Sequence, residues 1–294
     1  MSNYRFARLG ASNLKDLYLL FAAVYGKACP ASYFERKYDT AYTGVAYIGF
    51  LAYLDDLPVA YYGVIPTFLS IRQQKVLAAQ SCDTMTHPAH QKKGLFVKLA
   101  IHTFDLARQE GIHLIFGFPN QNSYPGFIKH LGFTHAETMH RHTIRFSNTP
   151  IKMLLRKLGF AVGRQSTEPL ANILLQEGHD GVIYDKAYMA YKRYNSNTVI
   201  GTPEQRFWVN LSKGGWIGAL APLYKEQFSQ TLHNLENLTK ASSMTFMISP
   251  GTGLDSALSK TRKAEKGFAV IIKNLSGKYD TCRLKFQFSD IDIF

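Results

Sequence analysis

The strongest constraint on this chain is the order in which strand-like and helix-like apolar patterns follow one another in its first half. Residues 4–9 alternate like a strand, and a helical pattern then runs from an N-cap at Ser12 to a terminator at Gly26. Two β-branched and aromatic runs, residues 45–54 and 59–65, are joined by a turn sequence typical of a hairpin. The later elements are predicted as strands at residues 68–72 and 76–86, a helix at 95–106, a strand at 113–118, a helix ending at 131 and a strand from 133. This order, with antiparallel strands between helices, predicts an α/β chain, specifically an α+β fold with a mixed sheet.

The amino-acid composition excludes several classes of protein. Of the 294 residues, 46% are hydrophobic and 13% aromatic, which is enough for one large core or two medium ones and excludes disorder and fibrous repeats. The longest uncharged apolar stretch near the N-terminus, residues 17–25, is shorter than the roughly 20 residues that span a bilayer. The first residues lack the apolar core of a secretory signal, and Cys29, Cys82 and Cys282 fit no metal pattern. We therefore expect a cytoplasmic protein with no transmembrane segment and no metal.

The chain is strongly basic. Its 34 Lys and Arg against 21 Asp and Glu give a formal net charge of +13, which favours phosphates, nucleic acid or an acidic membrane as partners. The charge alone does not choose among these anions. Because the basic residues are spread along the chain, a solvated basic surface is the alternative.

The second half of the chain repeats features of the first. Strands are predicted at residues 216–220, 244–248 and 268–272, with helices at 224–238 and 254–266. One echo joins residues 30–38 to residues 203–211, where an aromatic side chain stands at the same distance from a proline. A second joins residues 114–118 to residues 244–248, because each is followed by a proline, a helix and a strand that opens with Gly-Phe.

These echoes predict two related halves. The first covers residues 1–148 and the second covers residues 201–294, with a linker at 149–200 that holds a basic amphipathic helix. Basic residues of the linker and second half could add charge toward an anionic acceptor or partner, with simple exposure to solvent as the alternative for each: Lys152, Arg156, Lys157, Lys213 and Lys225.

Residues 83–96, between the fourth strand and the long helix, carry the clearest chemical signal. A strand that feeds a glycine-containing loop and then a helix leaves unpaired backbone N–H groups where the helix dipole favours negative charge. Gly94 permits close approach of the backbone, and Lys92 and Lys93 add positive charge. The pattern indicates a phosphate cradle, with an ordinary strand-to-helix junction as the alternative.

Three motifs in this half resemble those of the GNAT acyltransferase superfamily. Residues 91–96, Gln-Lys-Lys-Gly-Leu-Phe, are similar to its Gln/Arg-x-x-Gly-x-Gly/Ala loop. Residues 86–88, Thr-His-Pro, resemble the Val-x-Pro at the end of its fourth strand, and residues 127–133 resemble its Phe-Tyr-x-x-x-Gly-Phe closing motif. The resemblance covers residues 4–146 and implies a GNAT-like acyl-CoA N-acyltransferase fold. The two halves resemble tandem members whose second copy has lost the cofactor loop, since residues 221–228 contain no glycine.

The resemblance also implies a site for acetyl-CoA, or another acyl-CoA, as co-substrate. Its pantetheine arm would lie between the fourth and fifth strands, which we expect to diverge near Thr86 and Phe118. Backbone groups near Met85 and Thr86 would hold the acyl carbonyl. The pyrophosphate would meet the backbone of the cradle, formed by Gln91, Lys92, Lys93, Gly94, Leu95 and Phe96. The turn after the fifth strand would line the thioester end with Asn120, Asn122 and Ser123, although an asparagine-rich turn needs no ligand.

Two positions depart from the family pattern. Phe96 replaces a small residue of the cradle, so its side chain must point into the core and away from the phosphate. Ile128 stands where many members have the tyrosine that protonates the departing thiolate, and it cannot donate a proton. Tyr124, one turn earlier, is the candidate substitute, with core packing as the alternative.

A general base near the thioester would keep an attacking amine neutral. Asp83 and His87 flank the end of the fourth strand and are the candidates, although Asp83 could instead pair with an arginine in the core. Glu35, beside Arg36 and Lys37, could reach the acceptor cleft, and its role stays open.

Three histidines follow in the strand predicted from residue 133. His140 and His142 would share one face of that strand, and His135 precedes them. A metal site would need a third ligand, which the sequence does not place. All three are therefore expected to be surface histidines.

Three functions are consistent with these features. The first is an enzyme, a GNAT-type N-acetyltransferase, which moves an acetyl or other acyl group from acyl-CoA to an amine on a small molecule. The second keeps the tandem fold but takes its donor from aminoacyl-tRNA, to which the basic charge is suited. The third is a non-catalytic module that binds CoA or another anion, which Ile128 favours. The cradle at residues 91–94 favours the first over the second, because tRNA-using members have little need of a pyrophosphate loop.

Overall fold

A computed structural model describes residues 3–146, 165–166, 168–212, 214–239 and 241–294. The chain forms two compact units, which are Met1–Ala136 with Ala269–Asp280 and Glu137–Phe268 with Thr281–Phe294. A segment near the C-terminus therefore belongs to the first unit, whereas the sequence led us to expect two continuous halves. The predicted linker helix, with Lys152, Arg156 and Lys157, lies outside the described residues, as does Lys213.

Strands and helices alternate as the apolar patterns predict, and the mixed α/β fold class is confirmed. The elements up to residue 145 are β1 (Arg5–Arg8), α1 (Leu14–Tyr25), α2 (Ala31–Tyr38), β2 (Ile48–Leu54), β3 (Leu57–Ile71), β4 (Gln74–Thr86), α3 (Leu95–Gln109), β5 (Leu114–Gly117), α4 (Tyr124–His130) and β6 (Thr134–Arg145). The elements that follow are β7 (Gln165–Ser166), α5 (Ile173–Gln176), β8 (Gly181–Val182), α6 (Lys186–Tyr191), β9 (Thr198–Thr202), β10 (Gln205–Asn210), β11 (Trp216–Ala221), α7 (Phe228–Thr239), β12 (Ser243–Ile248), α8 (Gly253–Ser259) and β13 (Glu265–Asn274). None of the helices in the described part of the chain combines the length and apolar character that crossing a membrane requires.

The first unit is built on a mixed sheet in the order β1, β2, β3, β4, β5 and the C-terminal end of β13. The first four strands are antiparallel neighbours, and Asp55 and Asp56 close the β2–β3 hairpin with positive φ angles of 49° and 63°. β5 runs parallel to β4, which requires the crossover that α3 supplies. On its other side β5 pairs antiparallel with β13, with Ile271 opposite Gly117.

One face of α3 is buried in the core of this unit. Its buried side chains recur at the spacing of a helix face, and they are Leu95, Leu99, Ala100, Thr103, Phe104, Leu106 and Ala107. The apolar ones join sheet residues such as Val64 and Ile115, together with Phe127 of α4, in one cluster. Burying a leucine or phenylalanine side chain contributes about 1.5–3 kcal/mol to the free energy of folding. Packing along the helix therefore fixes where its N-terminus lies, at the end of β4.

The second unit repeats this pattern of pairing within itself. Its strand order is β7, β9, β10, β11, β12 and β6. β9, β10 and β11 are antiparallel neighbours, β11 and β12 are parallel, and β12 is antiparallel to β6. α7 connects β11 to β12 as α3 connects β4 to β5. A short helix then follows in each unit, α4 after β5 and α8 after β12. This recurrence is what a duplication would produce, and the duplication itself stays a prediction.

Several element boundaries differ from those predicted. Ser12 lies in a turn of 3-10 helix, and the N-cap of α1 is Asn13. Residues 68–72 do not form a separate strand, because β3 runs unbroken to Ile71. The helix predicted at 254–266 ends at Ser259, and β13 begins at Glu265.

The two sequence echoes fare differently. Residues 30–38 contain α2, whereas residues 203–211 form a turn and β10, so that echo is wrong and its spacing is coincidental. The second echo joins β5 to β12. These strands occupy equivalent positions in their units, because each is the parallel neighbour of a strand that ends an antiparallel run.

Candidate active site

β4 extends beyond its pairing with β5 on the way to the N-terminus of α3. Their parallel pairing ends with Ser81 opposite Gly117, while β4 continues to Thr86. The divergence expected near Thr86 and Phe118 stays a prediction, because β5 is paired with β4 up to its own last residue. Met85 and Thr86, which we expect to hold the acyl carbonyl, lie in this last stretch of β4, where the described pairing is with β3 alone.

A bulge bends β4 inside the same stretch. Asp83 has a left-handed φ of 48°, and the register with β3 shifts between Tyr61 and Gly63. A bulge leaves one residue unpaired and turns the strand locally. The bulge at Asp83 therefore turns β4 just beyond Ser81, its last residue that pairs with β5.

The Asp83 carboxylate is held by two residues of α2. Its Oδ2 lies 2.7 Å from Lys37 Nζ and accepts a 2.8 Å hydrogen bond from the Tyr38 hydroxyl. The Lys37 side chain is 1% exposed and that of Asp83 15%, so the ion pair is largely removed from water. Burial, followed by the nearby Asp83 charge, raises the pKa of Tyr38 well above its usual range and keeps the hydroxyl protonated. Asp83 thus forms an ion pair, which was the alternative to a role as general base, and its partner is a lysine and not an arginine.

His87 follows β4 and begins a turn of 3-10 helix. Its Nδ1 accepts a 3.3 Å hydrogen bond from the Ala89 N–H, so the imidazole caps that turn. Nδ1 of His90, at the end of the turn, lies 3.0 Å from the Tyr4 hydroxyl. The pKa of His90 is lowered, first by burial and then by the charge of Lys93. Lys93 is therefore close enough for its charge to disfavour protonation of the His90 imidazole.

The loop between β4 and α3 leaves the helix N-terminus open. Gly94 is the N-cap of α3, with a left-handed φ of 74°, and no side chain of the described residues caps the helix there. Lys92 is also left-handed, with a φ of 60°. Left-handed residues in such loops turn N–H groups toward one point, an arrangement that binds anions. Gln91, Lys92 and Lys93 are exposed, so the loop is accessible from solvent.

Phe96 turns its side chain into the core. Its ring packs edge-on against Phe127, at 5.3 Å between ring centroids, and against Tyr62 at 5.9 Å. Leu95 is buried beside it. These contacts confirm that the Phe96 side chain points into the core and away from the cradle. The backbone N–H groups of the first helical turn are therefore not covered by it.

The asparagine-rich turn after β5 is held by its own side chain. Asn120 Oδ1 accepts hydrogen bonds from the N–H groups of Asn122, at 2.9 Å, and Ser123, at 3.0 Å. The Ser123 hydroxyl also donates to Asn120 Oδ1. Asn120 therefore performs the turn chemistry that was the alternative to ligand binding, while the Asn122 side chain is exposed.

The two residues considered for protonating the thiolate both lie on α4. Tyr124 opens the helix, is partly buried against the apolar cluster, and has its ring edge-on to His135 at 5.9 Å. Ile128, one turn later, packs against the same cluster. The Tyr124 ring thus packs against the core, which was the alternative to proton donation. A role of its hydroxyl as proton donor stays a prediction.

The histidines of β6 correct one expectation. His135 is exposed, but His142 has no exposed surface at all and His140 is only partly exposed. Both His140 and His142 contact Asp255 of α8.

Lys225, among the basic residues proposed to attract an anion, instead lies 3.3 Å from Glu177.

Sequence reasoning missed the contribution of α2 to this region. Phe34, Lys37 and Tyr38 share one helix face at the spacing i, i+3 and i+4, and all three are buried. A lysine on an otherwise aromatic helix face indicates a buried ion pair, because a buried ammonium group needs an anionic partner. The partner here is the residue at the β4 bulge.

Comparison with known proteins places this geometry in context. A family model described as an acetyltransferase (GNAT) domain matches residues 5–136. A search of curated proteins finds no match. The GCN5-related N-acetyltransferases from Kribbella flavida and Anabaena variabilis each share 13% identity with this chain, with TM-scores of 0.63 and 0.60. Those alignments cover 93% of this chain and 71% and 73% of the two structures. Saccharomyces cerevisiae N-myristoyltransferase with bound myristoyl-CoA aligns with a TM-score of 0.61 at 10% identity, over 93% of this chain and 83% of its own.

Proposed function

We propose that this protein is an acyltransferase that moves an acetyl or other acyl group from acyl-CoA to an amine acceptor. Residues 5–136 match the model of an acetyltransferase (GNAT) domain, which supports the proposal. The observation that carries the proposal is that β4 runs five residues past its last pairing with β5, toward a helix N-terminus without a side-chain cap. A cleft between two parallel strands accepts an extended pantetheine arm. The open helix end accepts the pyrophosphate at one end of that arm.

The cradle suits a pyrophosphate for three physical reasons. The first-turn N–H groups of α3 have no partner inside the helix, and the dipole of its 15 residues favours an anion there. Gly94 lacks a Cβ, so a phosphate oxygen can approach the backbone closely. Lys92 and Lys93 are exposed and contribute charge without occupying the cradle.

The thioester end is proposed to lie at the end of β4. The β4 backbone beyond Ser81 retains hydrogen-bonding groups on the edge that lies beyond the end of β5. We assign the acyl carbonyl to the backbone near Met85 and Thr86. Asn122 and Ser123, in the turn that follows β5, line the opposite wall of the cleft in this proposal, with Asn120 holding the turn.

The reaction requires one proton to leave the amine and one to reach the sulfur. In the proposed step the amine nitrogen forms a bond to the acyl carbon, the carbon–sulfur bond breaks, and the CoA thiolate takes a proton from the Tyr124 hydroxyl. Of the two candidate bases, Asp83 is engaged by Lys37 and Tyr38. His87 is therefore the base we favour, because its Nδ1 accepts only a 3.3 Å bond that a water or substrate proton can replace.

One departure supports a second candidate function. Ile128 packs in the core and supplies no acid, which favours a module that binds CoA without catalysis. Release of free thiol from acetyl-CoA in the presence of an amine panel separates the two functions, because the module would bind CoA and release none.

The cradle is tested by replacing Gly94 with valine. We expect Gly94→Val to weaken CoA binding by about tenfold or more, which is about 1.4 kcal/mol, because the branched side chain both strains the left-handed backbone and obstructs the phosphate. Gly111→Val is the matched control. Gly111 lies beyond the other end of α3, with a φ of 78° and open surroundings like those of Gly94, whose φ is 74°. Titration calorimetry should therefore show weakened CoA binding for Gly94→Val alone, although both variants lose stability.

The stoichiometry of the same titration tests the whole assignment. The junction between β11 and α7 spans residues 222–227, which contain a proline and no glycine. One CoA per chain is expected. Two per chain, or unchanged affinity in a folded Gly94→Val variant, would show the cradle assignment to be mistaken.

A further inference from the structure

Three side chains of the second unit converge on one point. His140 and His142 lie on the same face of β6, and Asp255 lies in the first turn of α8. Asp255 Oδ1 is 2.8 Å from His140 Nδ1 and 2.9 Å from His142 Nε2. One oxygen and two imidazole nitrogens from distant parts of the sequence therefore face each other within 4.8 Å.

The surrounding structure holds this cluster in place. β12 pairs with β6 so that Phe246 is opposite His142 and Ile248 is opposite His140. The chain then leaves β12 and turns into α8, which brings Asp255 back over the two histidines. The second carboxylate oxygen of Asp255 accepts a 3.1 Å hydrogen bond from the Gly251 N–H. Outer contacts of this kind orient metal ligands.

Without an ion, the cluster is held together by hydrogen bonds to one carboxylate oxygen. Both imidazoles must present an N–H to the same Asp255 oxygen. The other ring nitrogen of His142, Nδ1, is buried and has no hydrogen-bond partner among the described residues, and the side chain itself has 0% exposure. An ion held by Nε2 would leave this nitrogen without a partner as well, so the case for an ion rests on the three converging ligand atoms.

We propose that His140 Nδ1, His142 Nε2 and Asp255 Oδ1 bind a Zn²⁺ ion, with water as the fourth ligand. Two imidazoles and one carboxylate are a donor set that Zn²⁺ accepts in tetrahedral geometry at about 2.0–2.2 Å. Ligand atoms around such an ion stand roughly 3.3 Å apart, so the two nitrogens need to move from Asp255 Oδ1 by only about half an ångström.

The chemistry of the site explains the choice of ion. Imidazole nitrogen is a poor ligand for Ca²⁺ and Mg²⁺, which prefer oxygen, whereas Zn²⁺ binds both donor types. One carboxylate and two neutral imidazoles leave a single net positive charge on the loaded site. His140 is 38% exposed, which gives the ion a path of entry. The bound ion would join β6 to α8 within the second unit.

The experiment uses the full chain without a histidine tag, treated with a chelator and desalted. Zn²⁺ is titrated in competition with a chromophoric chelator, and bound metal is counted by mass spectrometry. We expect one Zn²⁺ per chain and a thermal unfolding midpoint that rises with Zn²⁺. His140→Ala and Asp255→Asn should each bind at least about tenfold more weakly. The first replaces a partly exposed side chain, and the second preserves the shape of the carboxylate, so both variants should fold.

His135→Ala is the matched control, because His135 lies on the same strand, is exposed and does not join the cluster. It should bind Zn²⁺ like the unmodified chain. Equal affinity in all three variants would overturn the proposal, since Zn²⁺ would then bind elsewhere. Absence of stoichiometric binding to the unmodified chain at a tenfold excess of Zn²⁺ would overturn it as well, and would leave the cluster as a hydrogen-bonded contact between β6 and α8.

Discussion

A buried lysine holds the carboxylate at the bulge of β4. The contact joins α2 to the strand whose end we assign to the thioester, and it places the Lys37 ammonium 2.7 Å from Asp83 Oδ2. An ion pair so far removed from water is costly to break on one side, because the remaining charge has no partner. Lys37 is for that reason a residue that positions β4, whatever base the reaction uses.

Replacing Lys37 with methionine tests this coupling. Lys37→Met should lower the free energy of unfolding by about 3–5 kcal/mol, because Asp83 stays charged and mostly buried. The double variant Lys37→Met with Asp83→Asn should recover part of that loss, and Lys15→Met, at an exposed lysine, should change stability by less than about 0.5 kcal/mol. Urea denaturation measures all three. A double variant no more stable than Lys37→Met would show that the two charges are not coupled.

Asp290 predicts how stability changes with pH. Its carboxylate is buried, accepts a 2.5 Å hydrogen bond from the Tyr184 hydroxyl and a 2.7 Å bond from the Gln287 N–H, and burial raises its pKa to about 7. The unfolded chain releases this proton near pH 4, whereas the folded chain keeps it to about pH 7. The folded state thus binds more protons between these values, and stability falls as pH rises through that window.

Asp290→Asn removes the titration and should flatten this dependence by up to about 1.4 kcal/mol per pH unit. Urea denaturation at several values between pH 5 and 8 compares the variant with the unmodified chain. Asp56→Asn, at a side chain that is 94% exposed, is the control and should leave the slope unchanged. Parallel slopes for Asp290→Asn and the unmodified chain would mean that Asp290 is ionised throughout the range.

At the scale of elements, the spacing of apolar residues predicts the helices and strands that bury a regular row of apolar side chains. It does not predict elements that bury a charged side chain. α3, the β2–β3 hairpin, β5 and β12 are found where the patterns place them, because each buries a regular row of apolar side chains. α2 escaped prediction as a helix because it buries a lysine, whose partner on β4 is distant in sequence. The third ligand beside His140 and His142 escaped for the same reason, since only the fold brings Asp255 to them. The phosphate cradle was predictable because its loop and helix are contiguous.

β13 carries the prediction at this scale. Ile271 is fully buried, belongs to the core cluster of the first unit and lies opposite Gly117 of β5. Ile271→Ala should cost about 2–5 kcal/mol and speed amide hydrogen exchange in β5, at Leu114–Gly117. Ile101→Ala, at a residue of α3 that is 50% exposed, is the control. Unchanged exchange in β5 would show that the strand does not depend on β13.

At the scale of the whole molecule, two units of like topology differ at one junction. Strand order and pairing recur, but of the two junctions that lead into a crossover helix, the one between β4 and α3 has a left-handed glycine and exposed lysines. The junction between β11 and α7 offers a proline, which lacks an N–H, and no glycine. The same scaffold thus carries the proposed acyl-CoA site once and the proposed Zn²⁺ site once, in different units.

The place of β13 in the first unit also governs how the protein is made. Roughly 150 residues separate β5 from its antiparallel neighbour, and a ribosome adding roughly 5–20 residues per second needs on the order of ten seconds to supply them. Throughout that interval the nascent β5 presents an unpaired strand edge, which is a template for pairing with other chains. We therefore expect a higher soluble yield when that edge is shielded, by a chaperone or by slow, cool expression, until β13 has left the ribosome.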